Sequence, residues 1–268
     1  MPAMEPSETL ADLRREIDRI DGAMHELLMQ RGDIIDRLIA VKRAQESGSA
    51  FRPGREASMM REIVGRHRGI LPVDIVESIW RVIIATFTHV QAPYTVHGDV
   101  SLGSAAMRDV ARFHFGFVVP YQTHDDAADV VAAVAASRGD LGLVPTVAPG
   151  AWWRALEAAD APKVIARLPF VERANHPAAM PTYVISRPID ETATVTDVRL
   201  ASVVLPDAQI GMVEALASSG FIIEASAGAA LLVALPHGAS YADLADALPG
   251  PADMSPVGSH AAPFHHKS

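Results

Sequence analysis

Apolar residues in the first forty positions recur at alternating steps of three and four. They run Leu10, Leu13, Ile17, Ile20, Met24, Leu27, then Ile34, Leu38 and Val41. That spacing draws one continuous stripe along an α-helix and predicts a single helix from about Ser7 to Glu46. Ser7 or Thr9 is placed to cap it, with Glu8 and Asp12 in the first turn. Gly22 and Gly32 weaken it slightly, no proline interrupts it, and Ser47-Gly48-Ser49 ends it. A helix of about 40 residues is about 60 Å long. The two shorter helices that follow cannot cover the whole stripe. A second copy buries the remainder most simply, so the pattern predicts a homodimer with intertwined long helices.

The stripe position between Leu27 and Ile34 is Arg31. A guanidinium in a buried seam is costly unless it is paired, so it needs a partner carboxylate or an anionic ligand. Lys42 follows 11 residues later, which is three turns plus about 20°, on the same face and about 16 Å along the axis. Two cations on the inner face suggest a pocket for a small anion. A local cluster of Arg52, Arg55, Arg61, Arg66 and Arg68 reads either as a solvated helix face or, with Arg31 and Lys42, as a site for a dianion. A second helix is expected from about Arg55 to His67, with Met59, Met60, Ile63 and Val64 apolar. A third is expected from Val73 to Gln91, with Ile75, Val76, Ile79, Val82, Ile83 and Phe87 on its inner side. Ala92-Pro93 closes it.

Composition excludes several classes. The chain has 268 residues, 49% of them hydrophobic, enough for one large or two ordinary domains. No apolar run reaches the length of a membrane span, and the acidic stretch Met1 to Glu8 does not read as a signal peptide. Cysteine is absent, which removes disulfides, thiol nucleophiles and thiolate metal sites. A cytoplasmic protein without a membrane partner is the expectation. The net charge of −9 argues against nucleic acid. Residues 1–92 carry 13 basic and 14 acidic residues, so the excess acid lies in the remainder.

From about Thr95 short apolar runs alternate with helical ones. Phe115 to Val119, Leu141 to Pro145, Thr182 to Ser186, Leu200 to Leu205 and Ile222-Ile223 read as strands. Ala127 to Ser137, Ile210 to Ser218 and Tyr241 to Ala247 read as helices. The fold expected is multidomain: an all-α three-helix domain over 1–94 and an α/β domain over 95–248. Residues 249–268, rich in Pro, Gly, Ser and His, read as a flexible tail. His260, His265 and His266 read as tail residues rather than metal ligands, and no metal or other cofactor is expected.

The N-terminal motifs have a familiar pattern. Leu13-Arg14-Arg15-Glu16-Ile17-Asp18, the step from Asp21 to Arg31, Lys42, Arg52-Pro53-Gly54-Arg55-Glu56, and Ile83-Ile84 before Gln91 resemble the all-helical AroQ class of chorismate mutases. The resemblance covers about residues 8–92. It implies conversion of chorismate to prephenate by an intramolecular Claisen rearrangement, a step in phenylalanine and tyrosine biosynthesis. Such an enzyme needs no nucleophile, metal or proton transfer. It must hold the compact conformer of a dianion and stabilise charge as the ether bond breaks, which suits arginine forks.

The resemblance implies roles by position. Arg14 is the arginine donated across the dimer, and 17 residues separate it from Arg31, about −100° around the helix and off the Arg31 face. Arg31 and Arg55 clamp carboxylates. Lys42 and Gln91 donate to the ether oxygen, and Glu56 accepts the ring hydroxyl. The bland alternatives are an Arg14–Asp18 surface pair, a helix-end amide at Gln91, and dipole pairing at Glu56. Two positions depart from the family pattern: Arg52 stands where an acid is frequent, and Phe87 where a small hydroxyl residue is expected. Both are counted with the substrate-binding set.

In the second half, Asp126 to Pro145 faintly resembles the prephenate dehydratase stretch ending in Val-Pro-Ile-Glu-Asn. Here Thr146-Val147 follow Pro145, and Pro181-Thr182-Tyr183 lacks the arginine of the Thr-Arg-Phe motif. The expectation is a degenerate dehydratase-like or ACT-like domain that senses an aromatic amino acid effector or supports assembly. Two alternatives stand beside a mutase with a non-catalytic second domain: a bifunctional mutase–dehydratase, and a non-enzymatic dimeric regulator with an effector-binding domain.

Overall fold

Helix α1 spans Leu10–Gln45, close to the limits its stripe predicts. The computed structural model describes residues 9–45, 51–189, 195–205, 212–248, 250 and 252–265. The expected cap Ser7 and the helix stop Ser47-Gly48-Ser49 lie outside the described residues. Thr9 supplies a capping box: the Asp12 backbone N–H donates to Thr9 Oγ1 at 3.2 Å, and the Thr9 N–H donates to Asp12 Oδ2 at 3.0 Å. In the single chain Leu10, Ile17, Met24, Leu27, Ile34 and Val41 are each more than half exposed.

The chain divides into two units, residues 1–47 and 48–268. The division falls at residue 47, not at the expected 94, because α2 (Pro53–Arg66) and α3 (Val73–Gln91) are built into the second unit. Ala57, Met60 and Val64 of α2 and Ile84 of α3 pack with Phe170, Val171 and Ala261. Polar ties follow the same route. Arg61 donates to Asp197 Oδ2 at 3.0 Å and to the Ala262 carbonyl at 3.1 Å, with its guanidinium 5.0 Å from the Phe170 ring centroid. Arg173 pairs with Asp74 at 2.8 Å. Arg61 is therefore a packing residue and no member of an anion cluster.

The buried side of α3 carries Glu77, Arg81, Ile84, Ala85 and Thr88. The inner face expected from Ile75 and Ile79 is not the buried one: these residues are 45% and 44% exposed. The second unit covers the face on which Glu77 and Arg81 find partners, and the isoleucine face is left open.

The rest of this unit centres on a nine-stranded sheet. Its strands are β1 (Val96–Asp99), β2 (Tyr121–His124), β3 (Leu141–Pro145), β4 (Lys163–Leu168), β6 (Thr182–Ser186), β7 (Val198–Val204), β8 (Ile222–Ala227), β9 (Ala230–Leu235) and β10 (Asp253–His260). Their order is β2-β1-β3-β6-β4-β10-β7-β9-β8. The pairs β1–β2, β1–β3 and β4–β10 are parallel and the rest antiparallel. The short pair β5 (Val171–Glu172) and β11 (Phe264–His265) stands apart. Helices α4 (Ser104–Phe115), α5 (Ala127–Ala136), α6 (Met212–Ser218) and α7 (Tyr241–Ala247) complete the α/β layer. Ile210 of the predicted α6 lies outside the described residues.

Two predictions are corrected. Phe115 to Val119 is not a strand; α4 runs to Phe115, Gly116 turns the chain at φ 68°, and β2 starts at Tyr121. Residues 253–260 are no flexible tail. They form β10, between β4 and β7. Val257 and His260 are buried there. A Cβ on Gly258 would lie 2.2 Å from the Val164 carbonyl oxygen, so only glycine lets the two backbones approach this closely. Pro256 sits at the register shift, where a missing N–H is tolerated. Residues 266–268, His266 among them, lie outside the described residues.

Candidate functional site

The predicted residues fall on both units. Arg14 is exposed on α1 and Arg31 half-buried further along it. Lys42 lies on α1, and its side chain is outside the description. In the second unit Arg55 is exposed and Glu56, in the first turn of α2, is half-buried. Arg52 precedes α2 and donates to the Phe51 carbonyl at 3.1 Å. Gln91 ends α3, and its Nε2 donates to the Phe87 carbonyl one turn back at 3.0 Å. Phe87 is half-buried.

Glu56 points into a charged seam that the sequence reading missed. Its Oε2 lies 3.6 Å from Arg81 Nη1, and Arg81 Nε lies 3.7 Å from Glu77 Oε1. Glu77 is fully buried and its Oε2 faces His176 Nε2 at 3.3 Å. His176 Nδ1 accepts the Ala178 N–H at 3.0 Å. That contact fixes the tautomer: the ring proton sits on Nε2 and is donated to Glu77. His114 of α4 stacks on His176, with centroids 6.3 Å apart and planes at 9°. Burial, then Arg81 and His176, hold His114 well below its ordinary pKa, so it is neutral.

Glu56, Arg81 and His114 line one cavity of about 70 Å³ with Phe51, Tyr94 and Arg167. One water takes up about 10–15 Å³ on this scale, so the space equals about five waters. Burial raises the Glu56 pKa and the Arg81 charge opposes it. Burial, then the Glu56 charge, raises Tyr94, whose hydroxyl donates to the Ala85 carbonyl at 3.4 Å. A sequence signal for this seam existed. Residues 77, 81, 84 and 88 step by four, three and four, a second helical stripe with two charged members.

The predicted tail histidines are placed differently. His260 is buried beside the Tyr183 ring, and its Nδ1 donates to the Ala261 carbonyl at 2.9 Å. His265 is exposed and pairs with Glu172 at 3.2 Å. Among the described residues no group of three or more His, Asp or Glu is placed to hold a metal ion, and no helix is long and apolar enough to cross a membrane.

Comparison with known proteins falls on the same helices. Residues 13–92 match the chorismate mutase type II family. A curated relative, the bifunctional chorismate mutase/prephenate dehydratase of Aquifex aeolicus (strain VF5), is 29% identical over 144 residues, which are 52% of this chain and 39% of that protein. The match thus spans about two fifths of the relative's length. Two solved structures are similar to the chain. One is prephenate dehydratase from Streptococcus mutans, at 14% identity and TM-score 0.41, over 64% of this chain and 99% of that one. The other is GqqA, described as a novel type of quorum quenching acylases, at 15% identity and TM-score 0.41, over 63% and 95%. The stretch that matches the chorismate mutase type II family, residues 13–92, runs from the first turn of α1 to the residue after α3.

Proposed function

We propose that the chain converts chorismate to prephenate as a cytoplasmic homodimer. The observation that carries this is the family match over residues 13–92 with Arg14, Arg31, Lys42, Arg55, Glu56 and Gln91 all retained. The rearrangement breaks the ether C–O bond as the new C–C bond forms, with no proton transferred. Arg14 from the partner copy, Arg31 and Arg55 hold the two carboxylates. Lys42 and Gln91 donate to the ether oxygen as it gains charge. Glu56 accepts the ring hydroxyl. Arg52 and Phe87, the two departures from the family pattern, affect the details of hydroxyl recognition rather than the main charge stabilisation. The dimer is supported by the exposed stripe of α1, which a second copy would bury.

The test is loss of chorismate absorbance with the full chain beside Arg31→Ala and Lys42→Ala. Each change is expected to lower kcat/KM by about 10²–10³. A folded wild-type dimer without turnover overturns the proposal. The similarity to the bifunctional Aquifex relative favours a second reading, in which the chain also dehydrates prephenate. Formation of phenylpyruvate from prephenate decides it. The missing acid and amide after Pro145, and the missing arginine after Thr182, argue for no such product and for an effector-binding or assembly role.

A further inference from the structure

We infer that Arg81 is a positioning residue for Glu56: backed by the Glu77–His176 pair, it holds the Glu56 carboxylate in place to accept the substrate's ring hydroxyl. The inference rests on the mutase reading and on the role proposed for Glu56.

The seam has a direction. His176 is fixed by the Ala178 N–H, donates to Glu77, and so pins that carboxylate against Arg81. Glu77 alone matches the charge of Arg81. Burial of the guanidinium therefore does not require a second carboxylate. Yet the other edge of Arg81 faces Glu56, which belongs to a different helix and whose side chain is 28% exposed. Glu77 is fully buried, and its ion-pair partners among the described residues are Arg81 and His176. Glu56 is the member that can reach a ligand, and Arg81 is the group that fixes where its oxygens lie.

The same geometry sets the charge on Glu56. The other titratable groups lining its cavity are Arg81 on α3, Tyr94 beyond α3, His114 on α4 and Arg167 on β4. Tyr94 and His114 are held in their neutral forms by burial. Arg167 is engaged with Glu172 at 2.5 Å. Burial raises the Glu56 pKa, and Arg81 is the charge that pulls it back towards the ionised form. His176 reaches this network from the loop after β5, so the α/β layer takes part in shaping the mutase region.

The experiment is kcat and KM for chorismate loss from pH 5 to 9 with the full chain. Wild type, Glu56→Gln, Arg81→Lys, Arg81→Met and the charge-balanced pair Arg81→Met with Glu77→Gln are compared. The pair keeps the test open if Arg81→Met alone does not fold. Loss of Arg81 is expected to add a limb in which rate rises with pH. The deficit is about tenfold for each pH unit below the raised Glu56 pKa and shrinks towards pH 9. Arg81→Lys is expected to restore the wild-type profile. A uniform loss at every pH, or none, overturns the positioning role while leaving the mutase in place. Full activity in Glu56→Gln overturns the Glu56 role and this inference with it. A wild-type chain without turnover overturns the mutase reading itself, and the inference falls with it.

Discussion

Gly258→Ala is the sharpest test of the architecture. Gly258 has φ 137°, a conformation that side-chain-bearing residues rarely adopt. Strain of that kind costs about 1–3 kcal/mol. The added Cβ would also meet three backbone atoms of Val164, its oxygen at 2.2 Å, nitrogen at 2.5 Å and carbonyl carbon at 2.8 Å. None of these is the free end of a side chain, so β10 or β4 must move. β10 pairs with β7 over seven residue positions on its other side, which resists the shift. The total is about 3 kcal/mol or more. At about 2–4 °C per kcal/mol for a unit of this size, the melting temperature is expected to fall by about 6–12 °C. Thermal unfolding followed by circular dichroism measures it. Gly250→Ala is the control: its Cβ would meet nothing within 4 Å, and it is expected to stay within about 0.5 kcal/mol of wild type. If Gly258→Ala melts with the control, β10 is not where the sheet places it, and the reading of residues 249–268 as a flexible tail returns.

Three further outcomes follow from the same contacts. Met60 on α2 is fully buried against the Phe170 side of the second unit, so Met60→Ala is expected to cost about 2–5 kcal/mol in denaturant unfolding; a cost under 1 kcal/mol would detach α2 from this core. Burial pushes the His260 imidazole down to about 4 from its ordinary 6.5. The folded state thus resists a proton that the unfolded state takes up, and stability is lost as pH falls from 6.5 to 4, by about 3 kcal/mol in total. His260→Phe is expected to remove that part of the slope in urea titrations at pH 7, 5.5 and 4, and an unchanged slope would refute the assignment. Met24→Glu with Leu27→Glu, on the exposed stripe of α1, is expected to halve the mass measured by light scattering; a wild-type monomer would refute the dimer.

The local elements were legible where one periodicity dominates. The three-and-four stripe gave α1, and Val73 to Gln91 appeared as a helix with the observed limits. Leu141 to Pro145, Thr182 to Ser186 and Tyr241 to Ala247 carry the same strong patterns. β10 was illegible because its residues are those of loops. Asp, Ser, Pro, Gly and His form a strand there because neighbours on both sides supply the hydrogen bonds and Val257 the apolar anchor. The face of α3 was misjudged for a related reason. Hydrophobicity picks Ile75 and Ile79, but burial in this unit follows the partners that Arg173 and His176 offer to Asp74 and Glu77.

The candidate site shows the same division between what spacing can say and what pairing decides. Arg31 stood out because one cation interrupts an apolar series, and a series is visible in one dimension. Arg81 and Glu77 interrupt a series as well, yet next to an isoleucine-rich face they read as the solvent side of an amphipathic helix. What turns that face inward is His176, 99 residues from Glu77 in sequence. Its tautomer is set by a backbone N–H only two residues on. A buried carboxylate that already has such a donor can take a guanidinium beside it at little further cost in charge, and the guanidinium then has an edge left for Glu56. On this inference the acceptor proposed for the substrate hydroxyl is oriented from a loop of the α/β layer, outside the residues 13–92 that match the family model. A change at His176 is therefore expected to reach the proposed mutase site through Glu77 and Arg81, with its signature in the pH profile rather than in KM alone.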